Sequence, residues 1–110
     1  KDLSHRQTGS SLAKLLWAVQ KNDVYQISNI IHETGVDVNE KDCDSRTAAH
    51  VACSEGNLES LKTLMEYGAD LAAKDRWGNT PKDDIILHGH LRIHEFLESW
   101  ERELAEGSDQ

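Results

Sequence analysis

The chain has 110 residues, with 12 Lys and Arg against 20 Asp and Glu, and a formal net charge of -8. That is one domain by length, with room for a modest core. The acidic balance excludes a nucleic-acid surface, which needs clustered cations to displace counterions, and runs such as Ile85 to Leu87 are far too short to cross a bilayer.

Residues 1–10 carry Thr8-Gly9-Ser10 and no apolar periodicity, so they read as a mobile leader. The chain opens on lysine and is expected to be a piece of something longer. Ser10 or Ser11 can cap a helix whose apolar face is Leu12, Leu15, Leu16 and Val19. Asn22-Asp23 interrupts it, and a second helix follows on Val24, Ile27, Ile30 and Ile31, stopped at Gly35. Residues 11–41 thus form a helical hairpin.

Residues 42–74 repeat that plan. Thr47 stands at an N-cap position before Ala48, Ala49 and Ala52, a short helix with a narrow face. Gly56-Asn57 turns the chain into a longer helix on Leu58, Leu61, Leu64 and Met65, ended by Gly68. Residues 75–105 form a third unit. Pro81 takes the first helical position, His88-Gly89-His90 makes the turn, and Leu91, Ile93, Phe96, Leu97, Trp100 and Leu104 mark a final helix that outlasts the repeat. Residues 106–110 read as a fraying tail. The stretches from Asp37 to Arg46 and from Asp70 to Asn79 are rich in Asp, Asn, Ser and Gly, and suit tight turns between units.

The units share a fixed period. Asp42, Thr47, Gly56, Leu58 and Leu64 recur thirty-three residues later as Asp75, Thr80, Gly89, Leu91 and Leu97. A period in this range marks a stacked array whose neighbouring units bury a continuous core.

These residues resemble the ankyrin repeat. The family pattern is carried by Asp42, Thr47, His50, Ala52, Gly56, Leu58, Leu64, Gly68, Ala69 and Asp70, then by Asp75, Gly78, Thr80, Pro81, Gly89, His90, Leu91 and Leu97. The first unit is degenerate and holds one extra residue near His32 to Thr34. The resemblance implies an all-α solenoid of about three helix-turn-helix repeats with projecting β-turn loops. Locally, Asp42-Cys43-Asp44-Ser45-Arg46-Thr47-Ala48 and Asp75-Arg76-Trp77-Gly78 are similar in wording to the ankyrin segments of animal-type glutaminases and of plant ankyrin-repeat protein kinases. Ser45 stands where glycine is usual, so it must avoid positive φ or bear it with local hydrogen bonds. Lys82 and Asp83 replace the family's Leu-His, which suits a terminal unit and should remove the Thr-His hydrogen-bond network from unit three.

Three places carry residue types that catalysis or metal binding could use. Ser11-Leu12-Ala13-Lys14 has Ser-x-x-Lys spacing, but capping by Ser11 explains it and no partner residues accompany it. His88, His90 and His94 have metal-ligand spacing, yet Gly89-His90 is the repeat's own turn and no further donor set is fixed nearby. Cys43 and Cys53 make no disulfide framework and point to free thiols in a reducing, intracellular and cytoplasmic setting. No enzyme, metal or cofactor is expected.

What remains is surface. The resemblance implies a concave groove formed by turn tips and short helices. The matching tip residues are Cys43, Asp44 and Arg46, then Arg76, Trp77 and Asn79. Ser54, Glu55, Leu87 and His88 come from the short helices, with Gln20 and Lys21 added by unit one. Lys41 and Lys74 border the same edge, and with Arg46 and Arg76 they predict a basic rim suited to an acidic or aromatic segment of a protein partner. Trp77 has two uses open to it: folded onto the neighbouring turn as a stiffener, or displayed as a binding hot spot. Ile93, Leu97, Trp100 and Leu104 form a heptad-like seam for self-association or contact with a parent domain.

Overall fold

A computed structural model describes the backbone of residues 3–108 and the side chains of residues 11–104. Among the described residues six helices follow one another: α1 (Leu3–Gln20), α2 (Val24–Thr34), α3 (Ala48–Glu55), α4 (Leu58–Glu66), α5 (Pro81–His88) and α6 (Leu91–Ser108). They pair as α1/α2, α3/α4 and α5/α6, and among the described residues there is no strand. The fold is an all-α solenoid, elongated at 51 × 30 × 23 Å.

Side-chain size explains the stacking. Ala48, Ala49, Ala52 and Cys53 on α3 are all fully buried or nearly so, because α1 and α5 flank that helix on both sides and only small side chains let three helices approach. The outer layer supplies the bulk through Ile27 and Ile30 of α2, Leu61 and Leu64 of α4, and Ile93 and Leu97 of α6. Removing one such leucine to alanine costs about 2–5 kcal/mol, a large share of what a small array has to lose.

The turn inside each hairpin needs a left-handed residue, and each unit meets the need differently. Gly56 has φ +79° and Gly89 +67°, whereas unit one uses Asn22 at +58°. Asparagine tolerates that conformation, and here its Oδ1 also accepts hydrogen bonds from the backbone N–H of Ser60 at 3.1 Å and from its hydroxyl at 2.7 Å. At Gly56 no side chain would fit: a Cβ would lie 2.6 Å from Nδ1 of His90.

The start of α1 differs from expectation, and the details of the other units take definite form. Helix α1 begins at Leu3, so Ser10 and Ser11 lie inside it rather than at its cap. One interior glycine costs only about 1 kcal/mol against alanine, too little to end a helix. The expected leader at 1–10 and tail at 106–110 lie outside the residues whose side chains are described, and α6 itself runs to Ser108. In unit three Asp83 stands in place of histidine, and a carboxylate does the capping. The Asp83 carboxylate accepts from Thr80 N–H at 3.0 Å while Thr80 Oγ1 accepts from Asp83 N–H at 3.2 Å, so a capping box persists without an imidazole. Last, Ser45 bears the positive φ, at +61°.

Candidate protein-binding groove

The two projecting turns are built on the same device. Asp42 Oδ1 accepts from the backbone N–H groups of Asp44 at 2.9 Å and Arg46 at 3.0 Å. One repeat later Asp75 Oδ1 accepts from Trp77 at 3.0 Å and Asn79 at 2.9 Å. Each aspartate therefore folds the chain over itself and satisfies amides that would otherwise face solvent. The turns are then joined: the backbone N–H of Arg76 donates to the carbonyl of Asp44 at 2.9 Å.

His50 locks this loop layer to the helices. Its Nδ1 accepts from the Thr47 N–H at 3.0 Å, so the ring hydrogen is on Nε2, which donates to the carbonyl of Asn79 at 2.9 Å. His50 is fully buried and bridges units two and three.

Arg46 is the charged hub of the same layer. Its Nη1 donates to Asp75 Oδ2 at 2.8 Å and its Nη2 to Asp84 Oδ2 at 3.1 Å. Asp84 is only 2% exposed. Burial by itself would raise the Asp75 pKa, but the amides of Asn79 and Trp77 and the Arg46 guanidinium outweigh it and hold the carboxyl below the usual carboxylate range. At Cys53 burial, with the Asp84 charge adding to it, pushes the thiol up to about 12. That thiol stays protonated and unreactive.

A second arginine is also matched. Arg76 Nη1 lies 3.1 Å from Asp44 Oδ1, and its guanidinium carbon sits 5.4 Å from the centre of the Trp77 ring. Trp77 remains 62% exposed, so it is displayed at the turn tip rather than folded onto the neighbouring turn.

Behind the tips, the inner helices form a shallow recess of about 470 Å³ between α1 and α3. Leu16, Trp17 and Val51 give it an apolar wall, and Arg46, Ser54 and Glu55 a polar one. Trp17 is 56% exposed, with the Lys21 ammonium 5.5 Å from its ring centre.

A family model described as ankyrin repeats, in three copies, matches residues 15–103. The chain belongs to the ankyrin-repeat family. Over 91 residues, 82% of this chain, the array is 37% identical to the mitochondrial liver isoform of glutaminase from Rattus norvegicus. It is 39% identical over 90 residues to the serine/threonine-protein kinase VIK of Arabidopsis thaliana, and 39% identical over 84 residues to the potassium channel GORK of the same plant. It spans only 15%, 20% and 10% of those three proteins respectively.

Within this ankyrin array the expected groove residues separate into two groups. Cys43, Trp77, Leu87 and His88 are exposed, as are Lys41, Lys74 and Glu55, and Ser54 is half-buried with its hydroxyl 3.4 Å from His88 Nε2. Arg46, Asp44 and Asn79 are spent on holding the turns together. The basic rim is accordingly reduced to Lys41 and Lys74, because each arginine already faces a carboxylate. Of the three histidines, His88 and His90 stack with ring centres 6.1 Å apart and both reach Ser54, His90 Nε2 donating to its carbonyl at 2.8 Å, while His94 meets Glu98 at 3.1 Å. Sequence reasoning missed Trp17, whose signal was a tryptophan placed off the Leu12, Leu15, Leu16, Val19 stripe. It also missed Asp84 as the second carboxylate for Arg46.

Proposed function

We propose that this ankyrin array is a non-catalytic module that binds an extended protein segment across its concave face, with an aromatic or aliphatic side chain seated in the recess beside Trp17. Ankyrin repeats are generally protein-interaction modules. The observation that carries the reading is that Trp17, Trp77 and Leu87 stay exposed on the inner helices and turn tips, while Arg46 and Arg76 are already neutralised. Large exposed aromatics beside satisfied charges have the composition of a binding hot spot. Lys41 and Lys74 leave room for an acidic flank on the segment, and apolar contact is the main attraction.

Selection of random peptides displayed on phage against the purified chain tests this. Selected peptides should be enriched in Trp, Phe and Leu, and the Trp17→Ala/Trp77→Ala double variant should bind them at least tenfold more weakly with an unchanged helical circular-dichroism spectrum. Peptides lacking aromatics and aliphatics, or binding that ignores both tryptophans, would sink the groove assignment.

A second reading is that the array is an appended regulatory or assembly segment of a glutaminase-like amidohydrolase or a protein kinase. The small share of each relative that it spans favours this. Those relatives are named for three different activities, so the shared part is the array and not a chemistry. Reading the coding sequence on either side of Lys1 and Gln110 decides it. Cys43 and Cys53 are both free, which supports a reducing intracellular setting. Two relatives are named as mitochondrial.

A further inference from the structure

The repeat places one face of each unit beneath the next, and in unit three that face is open. Cys53 of α3 is fully buried under α5, yet Ile86, thirty-three residues on, is 71% exposed. Leu61 is fully buried, and its counterpart His94 is exposed. The open end is not flat. A recess of about 380 Å³ lies between Ala69, Leu71 and Trp100, and a smaller one of about 110 Å³ between Ile85, Ile86 and Leu97. Lys82 lines both and is ion-paired with Glu101, so a surface salt bridge divides two apolar floors. Leu104, one turn beyond Trp100, is 55% exposed and extends the apolar strip along α6.

Carboxylates predominate around this strip. Asp70 borders the larger recess, Glu98 and Glu101 the smaller, and Glu103 is exposed on the next turn of α6. Lys82 is paired with Glu101, His94 lies 3.1 Å from Glu98, and Arg92 and Arg102 are the arginines of α6.

We propose that the C-terminal end of the stack is a second docking surface, distinct from the concave groove, and that its occupant is a basic amphipathic protein helix. Aliphatic side chains of such a helix would enter the two recesses, and its Lys or Arg residues would meet Asp70, Glu98 and Glu103. Charge selects this occupant over the others. A second copy of this chain would bring the same carboxylates face to face, and a nucleic acid or anionic membrane would be repelled.

The test uses the isotopically labelled 110-residue chain and a synthetic helical peptide of Leu and Lys with leucines at i, i+3, i+4 and i+7. A scrambled peptide of the same composition and a version with Glu in place of Lys are the comparisons. Resonance shifts should centre on Leu71, Ile86 and the Trp100 indole, and the scrambled and acidic peptides should bind at least tenfold more weakly. Glu98→Gln combined with Ile86→Ser, both at exposed positions, should weaken the Leu/Lys peptide by a similar factor. Three results overturn the proposal: equal binding of the acidic peptide, shifts centred on Trp17 and Trp77, or no binding. Concentration-dependent dimerisation by sedimentation that Ile86→Ser abolishes would assign the face to a second copy instead. The groove is judged by its own selected peptides, so failure at this end leaves that reading standing.

Discussion

Arg46 Nη1 lies 2.8 Å from Asp75 Oδ2, and Asp75 is also the residue whose other oxygen folds the next turn. One side chain thus completes its own repeat and fixes the spacing of the turn that carries Trp77. Arg46→Ala should leave Asp75 and Asp84 without their cation in a largely buried site. Removing one member of a buried ion network is far more damaging than removing a surface charge. The urea midpoint of Arg46→Ala should fall well below those of Lys41→Ala and Lys74→Ala. Equal midpoints for the three variants would show that Arg46 is dispensable to the stack.

Asp75 also sets a pH dependence. Its folded pKa is depressed, so its contribution to stability is present above the unfolded value of about 4 and is lost as pH falls through the folded one. Thermal midpoints should be insensitive to Asp75 between neutral pH and about pH 5 and should drop below about pH 4. Asp75→Asn should lower the midpoint at pH 7 and flatten the acid limb. An acid limb as steep in Asp75→Asn as in the parent would remove the assignment.

The two thiols should behave oppositely. Cys43 is exposed at a turn tip, and Cys53 is fully buried with its pKa pushed up to about 12. A disulfide-exchange reagent at pH 8 should modify Cys43 at once and Cys53 only at the rate at which α3 is uncovered. Because the folded pKa of Cys53 is raised, it costs no stability at pH 8, and a loss begins only as pH climbs above about 9 towards that value.

The architecture was legible because the repeat aligns like with like. Asp42 and Asp75, Thr47 and Thr80, and Gly56 and Gly89 occupy the same places in successive units, and each place makes the same local structure. Contacts between unlike positions are hidden from that comparison. Arg46 reaches Asp84 across thirty-eight residues, and nothing in the period pairs those two places, so Arg46 read as a free cation of the groove. Trp17 was overlooked for a related reason. The apolar stripe of α1 predicts what is buried, and the groove is made of what the stripe leaves out. Asp83 shows a different gap: the capping role passed from an imidazole to a carboxylate, which the family pattern treats as a loss.

Ser45 and Gly78 form a matched pair for backbone strain. They hold the same place one repeat apart, at φ +61° and +84°, and a Cβ at Gly78 would meet nothing within 4 Å. Left-handed backbone costs a non-glycine residue about 1–2 kcal/mol, and glycine returns part of that through its freer unfolded chain. Ser45→Gly should therefore stabilise by about 0.5 kcal/mol and Gly78→Ala destabilise by about 1 kcal/mol. Chemical denaturation of both variants measures it, and a destabilising Ser45→Gly would mean that the serine side chain contributes more than its backbone costs.

Gly56 and His90 should be coupled. Nε2 of His90 donates to the carbonyl of Ser54, which pins the ring so that Nδ1 faces the Gly56 α-carbon, and a Cβ there would lie 2.6 Å away. Asn57 makes the equivalent link one unit earlier, donating to the carbonyls of Val19 at 2.8 Å and Gln20 at 3.2 Å. Gly56→Ala carries two separable costs, the positive φ of +79° and the collision with the pinned ring. Only the second disappears when the ring is removed. Gly56→Ala should cost about 1 kcal/mol more in the parent chain than in a His90→Ala background, within the usual range for residues in direct contact. Strict additivity in that double-mutant cycle would mean that the imidazole moves aside freely, and the link from His90 to Ser54 would then not be what holds the hairpin turns of units two and three together.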